Sequence, residues 1–219
     1  MTTFVLVHGL GGTGATMEPL ADLLQDAGHH TVLITLPGHG LEPESLVGVT
    51  WSQWVDAVLD TLPDDGAVVV GQSMGGTLAL AVAAVDHRVA GVAAVNAPPP
   101  DPDAIDGLEW RQSKGHDWVD GPELGDGEVG YTRFPISALL EMVNGACSID
   151  LAAVRCPVLL VNGSLDDVVD PFSADVYQAG LVSATVRRHV LQHTGHVATH
   201  GPQVGELAAL ILDGLQRAQ

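Results

Sequence analysis

The chain has 219 residues, a length that suits one domain with room for a small insertion. Asp and Glu outnumber Lys and Arg 27 to 8, for a formal charge of −19, and Lys114 is the only lysine. A surface of that sign repels phosphate backbones and anionic head groups, so nucleic acid is not an expected partner, and no apolar run approaches the ~20 residues that stable membrane insertion needs.

Taken in chain order, the apolar pattern alternates between short continuous runs and helical periodicity. Thr3–Val7 reads as a strand closed by His8-Gly9. Residues 16–27 read as a helix that Gly28 stops, and 31–36 as a second strand closed by Pro37-Gly38-His39-Gly40. Thr50 is placed to cap a helix whose apolar face is Trp51, Trp54, Val55, Val58, Leu59 and Leu62, and Pro63 with Asp64-Asp65-Gly66 ends it. Residues 67–70 form a run of the kind buried on both faces, 74–84 a helix of small residues, and Val89–Val95 a further strand.

The character changes at Ala97. Pro98, Pro99 and Pro100 open a stretch rich in Gly, Pro and Asp that holds Trp110 and Trp118 and has poor periodicity. A connection this long inside a compact domain is usually functional, so 97–135 is read as a small cap inserted between core segments 1–96 and 136–219. A helix follows at 135–144, a strand at 158–161, a helix at Ser173–Gly180, a strand at 185–191 and a last helix at 203–216. About six strands with interleaved helices predict an α/β fold: a doubly wound, mostly parallel sheet with helices on both faces. Cys147 and Cys156 are too few for a disulfide framework, and Cys156 reads as a small buried hydrophobe. With a strand at the N-terminus and no leader pattern, a cytoplasmic protein is expected. The acidic balance is open to two readings, plain solubility and adaptation to high salt.

Four segments carry chemistry. Gly71-Gln72-Ser73-Met74-Gly75-Gly76 matches G-x-S-x-G between a buried strand and a helix, where a strained turn presents a serine oxygen at the sheet edge. His8-Gly9-Leu10-Gly11-Gly12 is a flexible loop able to aim a backbone N–H at a reacting carbonyl, so the amides of Leu10 and Met74 are the candidate oxyanion donors. Asp166 lies three residues past the Gly163 turn, where a carboxylate reaches a histidine on the next loop. Asp167 reads instead as a solvated loop charge and Asp170 as a helix cap. Thr194-Gly195-His196 supplies a base between the last strand and the last helix, with His193 and His200 as the nearest competitors. A serine hydroxyl needs such a base, and the base needs an acid to fix its tautomer. The order Ser73, Asp166, His196 is the one expected of an α/β-hydrolase. His8 is expected to bond locally. No metal or other cofactor is expected, because no His, Cys and Asp cluster has ligand spacing.

On these residues the chain resembles the bacterial carboxylesterases and monoacylglycerol lipases of the α/β-hydrolase superfamily. The likeness runs nearly end to end, through HGLGG, the LPGHG segment at 36–40, GQSMGG, 162–174 and the TGHV near the C-terminus. It implies Ser73, Asp166 and His196 as catalytic triad, Leu10 and Met74 as oxyanion hole, and hydrolysis of short- or medium-chain acyl esters or monoacylglycerol-like substrates. A cap would then shape the pocket, with Trp110, Trp118, Tyr131, Phe134 and Met142 as candidate lining. The same triad can serve lactone, thioester, amide or C–C substrates or acyl transfer, and the fold can also serve as a ligand-binding module without catalysis.

Overall fold

A computed structural model describes residues 1–121 and 130–216. Its central sheet has six strands: β1 (Thr3–Val7), β2 (His30–Leu33), β3 (Ala67–Gln72), β4 (Val89–Val95), β7 (Val158–Gly163) and β8 (Val186–Leu191). They run in the order β2-β1-β3-β4-β7-β8, every neighbouring pair parallel. The doubly wound α/β fold expected from the alternation is what the chain adopts.

The two sides of the sheet follow from the period of two along each strand. Phe4, Leu6, Val68, Val70, Ala93, Val95, Leu159 and Val161 face one side. There they pack with Leu20 and Leu24 of α1 (Glu18–Asp26) and Leu207, Ile211 and Leu215 of α7 (Val204–Gln216). Val5, Val7, Val69, Val92, Ala94, Val158 and Leu160 face the other side. They meet Trp54 and Val58 of α2 (Trp51–Leu59), Leu78 and Val82 of α3 (Met74–Val85) and Tyr177 of α6 (Ser173–Gly180). Strands buried on both faces therefore read as unbroken apolar runs although each side chain has a fixed side. Each fully buried Leu or Val is worth about 1.5–3 kcal/mol relative to exposure, so the two layers supply the driving force for the sheet.

Local signals set the element ends. Thr50 and Gln53 form a reciprocal capping box at the start of α2: the Gln53 N–H donates to the Thr50 hydroxyl, and the Thr50 N–H donates to Oε1 of Gln53 at 2.9 Å. The helix expected at 16–27 begins instead with a 3-10 turn at Gly14–Met17, capped by Thr13, because Pro19 suits the first turn of α1. The strand expected at 31–36 leaves the ladder after Leu33. Ile34 and Leu36 remain buried, so the apolar run outlasts the strand.

The segment expected as a cap holds more regular structure than its periodicity suggested. α4 (Pro102–Ser113) starts on Asp101, whose carboxylate accepts the N–H groups of Asp103 and Ala104, with Pro102 at the first helical position. No residue of α4 is fully buried, which is why no apolar stripe marked it. β5 (Trp118–Asp120) and β6 (Arg133–Pro135) pair antiparallel and lead into α5 (Ile136–Cys147). Residues 122–129 of the expected cap lie outside the described residues.

Both ends of this segment are tied to the core. The Pro98 carbonyl accepts from the hydroxyls of Tyr177 and Thr77. The Tyr131 N–H donates to the Gly11 carbonyl at 3.1 Å, while its hydroxyl donates to the Gly38 carbonyl and accepts the Leu41 N–H. Among the described residues no helix is long and apolar enough to cross a membrane.

Candidate active site

Ser73 stands between β3 and α3 at φ 55°, ψ −127°, a left-handed conformation that L residues rarely adopt. The packing around it leaves no room for anything looser. A Cβ on Gly71 would overlap the Gly75 carbonyl oxygen, and a Cβ on Gly75 would overlap the Val7 carbonyl oxygen of β1. Both glycines are therefore required for α3 to start flush against the sheet. The Ser73 N–H donates to the Val95 carbonyl at 2.8 Å, and the Ser73 carbonyl accepts the Gly76 N–H at 2.8 Å.

The glycine loop after β1 lies directly against this turn. A Cβ placed on Gly9 would be 3.0 Å from the Cβ of Ser73 and 3.6 Å from its Oγ. Gly12 N–H donates to the Gly9 carbonyl at 3.0 Å, with Gly11 at φ 80°, so the turn is closed without the Leu10 N–H. Met74 is the first residue of α3, where a backbone N–H has no partner within its helix and the helix dipole favours negative charge. These are the two amides singled out as oxyanion donors.

Asp166 and His196 meet across 30 residues of sequence. His196 Nδ1–H donates to the Asp166 carboxylate, 3.0 Å from each oxygen. The Asp166 side chain is 1% exposed and that of His196 16%. The same carboxylate accepts the N–H groups of Val168 at 2.9 Å and Val169 at 3.0 Å. Burial opposes its ionisation, but the His196 hydrogen bond and charge and the two backbone N–H groups outweigh it, so the Asp166 carboxyl is held below its ordinary value. An ionised Asp166 fixes the tautomer of His196 with Nδ1 protonated, which leaves Nε2 as the basic nitrogen.

Asp167 is exposed, as expected of a loop charge. Asp170 accepts the Phe172 N–H at 2.8 Å in the turn ahead of α6, but the helix is entered from Phe172 without a side-chain cap, so Asp170 is a turn residue and not the cap expected. His193 and His200 are exposed. His8 is fully buried: its Nδ1–H donates to the Gly9 carbonyl at 2.8 Å and its Nε2 accepts the Leu36 N–H at 3.0 Å. It thus staples the glycine loop to the chain that follows β2. His39 packs edge-on to it with ring centroids 4.8 Å apart.

Of the pocket candidates, Tyr131 and Phe134 lie together against Gly11 of the glycine loop. Trp110 is 62% exposed on α4, with the Lys114 ammonium over its ring, and half-buried Trp118 carries the Arg133 guanidinium at 4.7 Å. Tyr131 is buried and spends its hydroxyl on Gly38 and Leu41. Phe134 packs over Gly11 and Gly121, and Met142 is half-buried against the α2 side of the core. Two buried residues that sequence reasoning passed over, Gln72 and Asn96, direct their side-chain amides at the main chain around His196. The signal available was their position, each at the carboxyl end of a central strand.

A family model described as alpha/beta hydrolase fold matches residues 2–118. The thermostable monoacylglycerol lipase of Bacillus sp. (strain H-257) is 30% identical over 214 residues, 89% of this chain and 82% of that protein. The pimeloyl-(acyl-carrier protein) methyl ester esterase of Xanthomonas campestris pv. campestris (strain B100) is 33% identical over 120 residues, 54% of this chain and 42% of that protein. Among solved structures, a metagenome-derived lipolytic enzyme matches with a TM-score of 0.86 at 24% identity, covering 99% of this chain and 94% of that one. The monoacylglycerol lipase of Paleococcus ferrophilus matches with a TM-score of 0.78 at 16% identity, covering 99% and 95%. At these identities the structural matches speak for the fold.

Burial, and secondarily the neighbouring His39, lowers the pKa of His8 from 6.5 to about 3. The unfolded chain therefore takes up a proton below about pH 6.5 that the folded chain refuses until about pH 3. Stability contributed by neutral His8 is present above pH 6.5 and declines as the pH falls. Urea unfolding should show the parent losing about 2 kcal/mol from this residue between pH 7 and pH 5, and His8→Gln losing that much less over the same interval. Parallel losses in both proteins would contradict the assignment.

Proposed function

The chain belongs to the alpha/beta hydrolase fold family, and from that premise we propose that it hydrolyses carboxylic esters through an acyl-enzyme on Ser73. The observation that carries the reading is the hydrogen-bonded Asp166–His196 pair at the same sheet edge as the strained Ser73 turn.

The reaction runs in two halves. Ser73 Oγ attacks the ester carbonyl carbon while Nε2 of His196 takes the hydroxyl proton. The carbonyl oxygen becomes an oxyanion beside the N–H groups of Leu10 and Met74. The C–O bond to the alcohol then breaks, and His196 returns the proton to the leaving oxygen. In the second half a water molecule gives its proton to His196 and attacks the acyl carbon, and Ser73 leaves with the proton restored. Asp166 stays ionised throughout and stabilises the imidazolium.

Charge narrows the substrate. The core loops that follow the carboxyl ends of β1, β2, β4, β7 and β8, residues 8–17, 34–50, 96–101, 164–172 and 192–203, carry Glu42, Glu44, Asp101, Asp166, Asp167 and Asp170, with no Lys or Arg among them. Arg133 of the inserted segment pairs with Glu44, and buried Asp166 is spent on His196, so the balance left on these loops is acidic. A rim of net negative charge disfavours anionic substrates and admits neutral ones. An uncharged short- to medium-chain ester, monoacylglycerol included, fits this reading better than one bearing a carboxylate, a phosphate or an acidic carrier.

Ser73→Ala should lower kcat/KM for a p-nitrophenyl ester by at least about 10⁴-fold with the fold intact by circular dichroism. An alanine variant as fast as the parent would sink the proposal. A panel of lactone, thioester and amide analogues separates ester hydrolysis from the other bonds this centre can cleave. At low ionic strength a neutral medium-chain ester should be cleaved on the order of 10-fold faster, by kcat/KM, than its analogue ending in a free carboxylate, and the gap should close as salt is added. Equal rates, or a gap indifferent to salt, would remove the electrostatic argument.

A further inference from the structure

We propose that Gln72 and Asn96 are positioning residues that register His196 against Ser73; the inference rests on the reading of those two as the reacting pair. His196 sits in the connection 192–203 between β8 and α7, whose regular structure is one 3-10 turn at Ala198–His200, so no strand ladder holds it. General base catalysis tolerates little freedom, since an error of about 1 Å costs on the order of 10²-fold.

The main chain around His196 is held by two buried amides that reach it from neighbouring strands. Gln72, the last residue of β3, is 2% exposed. Its Nε2 donates to the His196 carbonyl at 2.6 Å, and its Oε1 accepts the Ala198 N–H at 3.1 Å. Asn96, the first residue past β4, is wholly buried. Its Nδ2 donates to the His196 carbonyl at 2.7 Å and the Gly195 carbonyl at 3.1 Å, and its Oδ1 accepts the Gly163 N–H at 2.7 Å. The His196 carbonyl thus receives two side-chain donors, from Gln72 and Asn96, besides the Ala198 N–H at 3.1 Å.

The connectivity is what makes the arrangement specific to the site. Gln72 is joined to Ser73 by one peptide bond, so the strand end that places the nucleophile also grips the base. Asn96 bonds the end of β7, and Asp166 lies three residues beyond Gly163. One residue therefore couples the acid's strand to the base's loop. Asn96 adopts φ 47°, a conformation that asparagine bears better than most residues, so its amide reaches these partners only with the backbone turned left-handed. A Cβ on Gly163 would overlap the Thr194 carbonyl, so nothing larger allows the loop this close.

The test separates positioning from mere stability. Gln72→Met keeps length and removes both bonds; Gln72→Glu keeps shape and the Ala198 acceptor and serves where the methionine variant does not fold. Asn96→Asp keeps the Gly163 acceptor and replaces the donor by an oxygen facing two carbonyls. Thr199→Val is the control: it removes a different tether of the same loop, the bond from its hydroxyl to the Thr16 carbonyl at 3.0 Å. Each is measured well below its Tm with a p-nitrophenyl ester, and burst amplitude counts competent sites.

The Gln72 and Asn96 variants should lose 10- to 100-fold in kcat per competent site with KM within threefold, while Thr199→Val loses Tm and keeps kcat. Values of kcat within threefold of the parent, or a loss matched by the Thr199 control, overturn the proposal. If Ser73→Ala is inactive and Gln72→Met is not impaired, only the positioning role fails; if Ser73→Ala stays active, the hydrolase reading fails with it.

Discussion

The turn at Ser73 governs the geometry of everything around it. A non-glycine residue at φ 55° costs about 1–3 kcal/mol and persists only where its surroundings leave no alternative. Here the surroundings are backbone on backbone: α3 against β3 at Gly71 and Gly75, and α3 against β1 at Gly75 and Val7. The glycine loop after β1 then has to pass within van der Waals range of the serine side chain, which is what Gly9 permits. The three non-glycine residues with positive φ among those described are Ser73, Asn96 and His193, and all three follow sheet strands at the same edge. Strain is concentrated where the proposed chemistry is.

Charge is arranged on two scales. Near the reacting groups, a nearly inaccessible carboxylate is satisfied by three donors, from His196, Val168 and Val169, and so stays ionised without solvent. Across the molecule, the excess of acid over base leaves the rim of the site without a single fixed cation on its core loops. The first is local hydrogen bonding and insensitive to salt; the second is a long-range field that salt screens. His8 stands apart from both. Its burial excludes charge, and it works as a neutral donor–acceptor staple for the glycine loop.

What the sequence disclosed follows from how tightly each feature is bound to the backbone. The strained turn at Ser73 was legible because G-x-S-x-G states a steric requirement, and the fold because strands buried on two faces leave continuous apolar runs. The distance of Asp166 from Gly163 pointed to the carboxylate that meets His196. α4 was missed because a helix lying on the surface without a buried stripe leaves only its cap, Asp101-Pro102, as a sign. The end of β2 was overextended because Ile34 and Leu36 are buried beyond the ladder. Gln72 and Asn96 were invisible for another reason: a neutral amide carries no pattern, and only coordinates reveal that both reach one carbonyl across about 100 residues or more. The aromatic candidates could be found but not oriented, since periodicity says nothing of which way an irregular segment turns its rings.

The central claim is that one serine hydroxyl, and no other, is made nucleophilic by this fold. Incubating the protein with a fluorophosphonate and mapping the adduct by peptide mass spectrometry tests it directly. The account predicts one phosphonyl group per chain, on the peptide containing Ser73, with labelling abolished in His196→Ala. A chain that remains unlabelled, or one labelled at a different residue, would contradict it.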